Sequence, residues 1–190
     1  MKPEDLKKIL ECHSLYLNTN GKEGEIADLY GVNLKGVKLH RCNLQGADLS
    51  CANLSKADLS HSNLSRAEFY SSNLSFIDFF CCDLRNADLS GTNLSNADLR
   101  KAYLSDADLG DTDLKYSNLS HAHLQGADLK GADLTSANLS YADLQGTDLK
   151  GANLTDTNLS YTDFTGSDLR GAILKGVNLT LADLTRAKLD

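Results

Sequence analysis

From Leu29 onward every fifth residue of the chain is Leu or Phe, through Leu34, Leu39 and Leu44 to Leu184 and Leu189, 33 positions in unbroken phase. Thirty are Leu, and the other three are Phe69, Phe79 and Phe164. Two residues before each centre stands a small or β-branched residue: 18 Ala, five Thr, four Ser, three Val, two Cys and Ile77. The residue between them is Asp or Asn (Asx) in 27 of the 33 pentads; Lys38, Glu68, Tyr103, His123, Ile173 and Lys188 are the exceptions. The two remaining positions are mostly polar and rich in Ser and Gly. An α-helix cannot use this pattern, because a five-residue step advances about 500° and scatters the leucines around the helix axis. A flat strand fails as well, since its side chains alternate with period two and an odd step puts successive leucines on opposite faces.

The chain must therefore turn once per pentad. A short extended segment points the central residue and the one two before it to the same side, inward, with Asx outward between them. The polar pair makes the corner. Four such sides close a 20-residue coil, and coils stack at the interstrand spacing of roughly 4.7–4.9 Å. The 33 pentads give a little over eight coils and a rod about 40 Å long. Residues 3 to about 17 predict a helix: Pro3 suits its first turn, Glu4 and Asp5 complement its positive end, and Leu6, Ile9, Leu10, His13 and Leu17 recur at helical steps. Gly21 and Gly24 lie in the connection. A solenoid end exposes apolar side chains and unpaired strand groups, so this helix is the expected cap. The organisation is then a cap with its connection, residues 1–26, and a repeat array, residues 27–190.

The consensus Ala-Asx-Leu-x-x, as in Ala47-Asp48-Leu49-Ser50-Cys51 and Ala132-Asp133-Leu134-Thr135-Ser136, resembles the pentapeptide-repeat proteins over residues 27–190. The segment from Leu10 to Leu29 also resembles leaders found in front of such arrays in bacterial members. The resemblance implies an all-β solenoid, a right-handed quadrilateral β-helix behind a short N-terminal capping α-helix. Residues 20 apart should stack on one face, so function is to be sought in columns rather than in linear motifs.

Composition narrows the function classes. The 190 residues carry 26 Asp and Glu against 19 Lys and Arg, a net charge of −7, and phosphate-backbone affinity is supplied largely by Lys and Arg; direct nucleic-acid binding is not expected. The charged start, Lys2 to Lys8, and the lack of a long apolar run predict neither signal peptide nor membrane span, and a cytoplasmic location. Cys12, Cys42, Cys51, Cys81 and Cys82 form no repeating spacing and are expected as reduced thiols. No phosphate loop or nucleophile elbow is present, so no catalytic residue, cofactor or metal is assigned. His61 and Cys81, with His40 nearby, fall short of the three protein ligands zinc needs.

Three surfaces stand out. The first is an acidic strip, Asp28, Asp48, Glu68, Asp88 and Asp108, which continues as Asp128, Asp148 and Asp168 beside Lys130, Lys150 and Arg170. Neighbouring carboxylates repel by roughly 1 kcal/mol in water, and only the second half has nearby positive charge. The second is a candidate partner surface of Tyr141, Tyr161 and Leu181, with Phe76 and Phe80 as further outward aromatics; stacked rings that only stabilise neighbouring coils are the alternative. The third is a candidate homodimer end in the last coil, through Ile173 and Leu181. The columns Asn33-Asn53-Asn73-Asn93 and Asn118-Asn138-Asn158-Asn178 are expected to bond amide to amide between coils. The leading expectation is a non-enzymatic scaffold that binds another protein. Because some family members act as DNA mimics that bind type II topoisomerase (gyrase) and protect it from quinolones, the acidic strip raises that alternative; this chain departs from them in its basic ladder and its lack of a loop insertion. A passive spacer is the third reading.

Overall fold

The computed structural model describes residues 1–190. Beyond residue 27 the chain is a quadrilateral β-helix: each outward residue forms a parallel bridge with the residue 20 positions later, Asp28 with Asp48, Asn33 with Asn53, Lys38 with Asp58, Asn43 with Asn63, and so on to Asp168 with Lys188. The period read from the sequence thus becomes the register of the coils. We number the four faces 1 to 4 from the outward residues 28, 33, 38 and 43. Each side is a single bridged position between two turns, so it is too short to form a longer ladder.

The inward column is dry. Leu44, Leu49, Leu54, Phe69, Phe79 and Phe164 are fully buried, and Ala47, Ala67 and Ala152 wedge between them. Burial of one such large side chain is worth ~1.5–3 kcal/mol. Ser or Thr stands at nine inward positions, and eight of the hydroxyls donate to a Leu or Phe carbonyl, leaving only Ser72 Oγ without a partner. Thr162 Oγ donates to Leu139 O at 2.9 Å, Thr157 Oγ to Leu134 O at 2.8 Å and Ser62 Oγ to Leu39 O at 2.9 Å.

The hydrogen bonds of one pentad explain its consensus. Ala47 N–H closes the corner turn onto Leu44 O (3.0 Å), Asp48 N–H bonds Ala27 O of the preceding coil (3.0 Å), and Leu49 and Cys51 N–H bond Glu68 O and Tyr70 O of the next (2.7 and 2.9 Å). Only the first corner residue, Ser50, has no backbone acceptor, and Asp48 Oδ1 takes its N–H at 2.8 Å. The same bond recurs at all 27 Asx positions, from Asp28 to Tyr30 through Asn53 to Ser55 to Asp183 to Thr185. Asx is required because only a carboxylate or amide one carbon from Cβ reaches an N–H two residues on.

At every corner the second residue has positive φ, 11 times Gly and 21 times another residue, as at Arg41 (59°), Lys101 (57°) and Tyr161 (59°). Together with the bond from the Ala position to Leu this is the type II turn, whose left-handed residue favours Gly. A non-glycine there costs roughly 1–2 kcal/mol; the corner N–H, bonded to the next coil as in Arg41 to Ser60 O at 2.9 Å, holds it in place. The three acidic corners, Asp106, Asp111 and Asp156, are each followed one coil later by Gly: Gly126, Gly131 and Gly176. Each carboxylate lies over the glycine, in the space its Cβ would take.

The N-terminal helix, α1 (Pro3–Asn18), starts on Pro3 and carries Glu4 and Asp5 in its first turn. Leu6, Ile9 and Leu10 pack against the core, and α1 covers the first coil. Thr19 ends it: its N–H bonds Leu15 O at 3.0 Å, and its hydroxyl accepts Glu23 N–H at 3.0 Å. Gly24 (φ 76°) passes so close that a Cβ would collide with the Cys12 carbonyl oxygen and the Tyr16 nitrogen.

The corner geometry separates backbone strain from crowding. A Cβ on Gly126 (φ 71°) would stand 2.6 Å from Asp106 Oδ1, whereas one on Gly146 (φ 67°) would meet nothing within 4 Å. Gly146→Ala should therefore cost only the left-handed strain, about 1–2 kcal/mol, and Gly126→Ala more. In the Asp106→Gly background the two should become equal, as measured by urea unfolding.

Candidate functional site

The outward side chains of a coiled rod fall in columns, so its candidate sites are faces and edges. On face 1 the carboxylates are held in two ways. From Asp128 onward two lysines bridge neighbouring coils: Lys130 Nζ lies 3.1 Å from Asp128 Oδ2 and 3.2 Å from Asp148 Oδ2, and Lys150 Nζ lies 2.9 Å from Asp148 Oδ2 and 3.3 Å from Asp168 Oδ2. Arg170 adds a pair to Asp168 at 2.7 Å. The Arg170 guanidinium, seconded by a backbone bond and Lys150, holds the Asp168 carboxyl well below the usual carboxylate range despite opposing desolvation. Burial pushes Asp148 up, but the bonds from Lys150 and Lys130 outweigh it, and its pKa is lowered.

Asp28, Asp48, Glu68, Asp88 and Asp108 take part in none of the ion pairs, which on the rod run from Asp83–Arg85 to Asp168–Lys188. The four Asp residues of this strip keep Oδ1 on the backbone N–H of Tyr30, Ser50, Ser90 and Gly110. Their second oxygens are committed to no cation. The strip read from the sequence is thus one face with bare charge over its first half and neutralised charge over its second.

The aromatic candidates gather along one edge. Phe80, Tyr141, Tyr161 and Leu181 all sit at the corner between faces 3 and 4, and Phe76 sits at the corner on the other side of face 3. His121, Tyr141 and Tyr161 form a stack along this edge, with ring centroids 4.9 and 4.6 Å apart and planes within 7° and 3° of parallel. Tyr141 and Tyr161 remain 51% and 46% exposed, and Leu181 beyond them 71%. Stacking covers the ring faces, so the stack offers outside its edges and hydroxyls. Earlier on the edge, Phe80 takes His61 edge-on at 5.4 Å and Arg100 over its face at 5.4 Å, and Arg100 is tied to Asp98. Lys56 lies 5.8 Å over the isolated Phe76 ring.

A second stack, Tyr103 on His123 at 5.0 Å and 5°, stands on face 4 beside this edge. It was legible as two departures from Asx exactly one coil apart. Tyr116, 62% exposed on the edge with Phe76, is a further surface aromatic, and its neighbours one coil away in the same column, Asn96 and Ser136, give it no aromatic partner. The Asn columns differ from each other. Asn138, Asn158 and Asn178 donate to Asn118, Asn138 and Asn158 at 3.2–3.3 Å. In the column from Asn33 to Asn93 the amide oxygens serve only their own corners, which corrects the expectation of two equivalent amide ladders.

No three His, Cys, Asp or Glu side chains converge as a ligating group. All five cysteines are free thiols. Burial pushes the Cys82 thiol up to about 12, and it donates to Leu59 O at 2.7 Å. In the last coil Ile173 is 51% exposed, and Leu174, Leu179 and Leu184 are half-buried rather than dry. No helix is long and apolar enough to cross a membrane.

The family model described as pentapeptide repeats matches in eight copies, over residues 27–66, 47–80, 77–115, 112–151 and 152–190. Among solved structures, a trypsin-treated variant of QnrB1, a plasmid-mediated fluoroquinolone resistance protein, shares 25% identity over 85% of this chain and 84% of that one, with a TM-score of 0.67. HetL, a pentapeptide-repeat protein involved in heterocyst differentiation regulation in the cyanobacterium Nostoc sp. strain PCC 7120, shares 30% identity over 92% of this chain and 94% of that one, with a TM-score of 0.28. A comparison with curated proteins finds no match. With five-residue periodicity, bridges at a spacing of 20 and family matches from residue 27 to residue 190, the chain belongs to the pentapeptide-repeat family, whose fold is the right-handed quadrilateral β-helix.

Proposed function

We propose that this protein is a non-catalytic, cytoplasmic binding rod that recognises another protein through the edge between faces 3 and 4. The observation that carries the reading is the gathering of Phe80, Tyr141, Tyr161 and Leu181 on one edge, where the neighbouring corner positions Ser120, Ser140 and Ser160 are small and polar. Exposed aromatic and aliphatic groups in a polar rim are what a partner interface uses. The stacking of His121, Tyr141 and Tyr161 makes that part of the edge rigid before binding, which lowers the ordering cost of association. Five free thiols suit a reducing compartment. The coil of residues 171–190, with Ile173 and Leu181 exposed, belongs to the proposal as a homodimer contact.

A second reading rests on the bare half of face 1. Five carboxylates at coil spacing with no cation of their own present a line of negative charge to a basic surface; the likeness to a fluoroquinolone resistance protein brings quinolone protection into consideration, and the DNA mimicry of some family members names gyrase as the target to test.

Replacing Tyr141 and Tyr161 together with Ser should abolish capture of the partner from the source cell's lysate and leave the circular dichroism spectrum intact; unchanged capture would remove this edge from consideration. Light scattering at micromolar concentration should give a dimer mass that Leu181→Asp converts to the monomer. For the second reading, the protein should restore gyrase supercoiling in the presence of a quinolone, and Asp48→Asn with Asp88→Asn should weaken that; no effect at tens of micromolar would dismiss it.

A further inference from the structure

The docking of α1 has one polar tie, His13. Its side chain is fully buried, and its Nδ1 accepts Ala27 N–H at 3.1 Å. Ala27 opens the first pentad. In later pentads the equivalent amide closes a turn onto the leucine three residues before, as Val32 does onto Leu29 O at 3.2 Å. The sequence has Gly24 at that place, within the connection, and His13 supplies the missing acceptor. The other ring nitrogen, Nε2, is buried with no partner.

This arrangement fits only the neutral imidazole. A second proton would set an N–H at Nδ1 against Ala27 N–H and place a charge where nothing compensates it. The charged and titratable groups on the surrounding elements include Lys8, Glu11, Cys12 and Tyr16 on α1, Lys22, Glu23 and Glu25 in the connection, and Asp28, Tyr30, Lys38, His40, Cys42 and Asp48 on the first two coils. None of them moves the His13 pKa, which burial alone lowers from the usual 6.5; Cys42 is itself raised by burial and stays neutral.

We propose that His13 is a proton-operated latch: its protonation releases α1 from the first coil and opens the N-terminal end of the rod. Release would bare Val32, Leu34, Val37 and Leu39, the side chains of the first coil nearest that end, while the coils behind it keep their own bonds. The sign follows from linkage. The released helix binds the proton more readily than the docked one, so docking is fully favourable above about pH 6.5 and is lost as the pH falls toward the lowered value of the docked state.

Amide hydrogen exchange of the full chain between pH 7.5 and 5.0, corrected for the intrinsic rate, reads the latch. Protection of Ala27 and of the α1 amides should fall by up to tenfold per pH unit below about 6.5, while amides from Asp48 onward keep theirs. His13→Asn keeps an acceptor in the place of Nδ1 but cannot titrate, and its protection should be flat over the same range. Flat protection in the unmodified protein, or the same acid loss in His13→Asn, would overturn the proposal. Should His13→Asn fail to dock its helix even at pH 7.5, the imidazole of the unmodified protein decides by NMR titration: a His13 pKa below 6.5, moving with the α1 signals, supports the latch, and one at or above 6.5 overturns it.

Discussion

Each pentad has five backbone N–H groups; the stacking of coils provides backbone acceptors for three of them and the corner turn for a fourth. The fifth, at the first corner residue, points along its own side and is met by the Asx side chain two residues earlier, as Asp48 Oδ1 meets Ser50 N–H. A backbone group left unpaired in a turn of this density would cost about 1–3 kcal/mol, repeated at every corner of the rod. The requirement for Asp or Asn follows from that amide, and the net charge of −7 follows in large part from the requirement. Leucine fills the coil, and Asx satisfies the corner amide at 27 of the 33 pentads; the corners after Lys38, Glu68, Tyr103, His123 and Ile173 turn without it.

The corners show the other side of the same economy. A left-handed residue at every turn is unfavourable for most side chains, yet 21 corners carry one. In 19 of them the corner N–H is fixed by the next coil, so a local preference is overridden by a neighbour 19 residues away; Leu181 and Arg186, in the last coil, keep the same turn without that bond. Freed from the glycine rule, the corners become the variable surface of the rod, and this is where His121, Tyr141, Tyr161 and Leu181 collect. Glycine returns where an acidic corner leans over it, as at Gly126, Gly131 and Gly176.

Function, on this architecture, resides in departures from the consensus. The stacked edge, the Tyr103–His123 pair and the bare half of face 1 are built from positions at which the repeat tolerates change. The ion-paired half of face 1 shows how ordinary an acidic column is once Lys130, Lys150 and Arg170 stand beside it. It is the contrast within one face that marks the first half.

The sequence alone determined the period, the inward and outward positions, the coil of 20 residues and the columns on each face, because an unbroken five-residue rule leaves the chain one way to bury its leucines. It also placed Tyr141, Tyr161 and Leu181 in register along one edge, since register is arithmetic once the coil length is known; that Phe80 lies along the same edge came from the structure. The tertiary structure decided what depends on the distance between side chains: that the tyrosines lie parallel at 4.6 Å, that one Asn column bonds between coils and the other does not, and that cations bridge two coils. It also decided that His13, by periodicity one more member of the apolar face of α1, is the acceptor for Ala27. Periodicity reports which way a side chain points; which atom it meets there is set by packing between segments far apart in the chain.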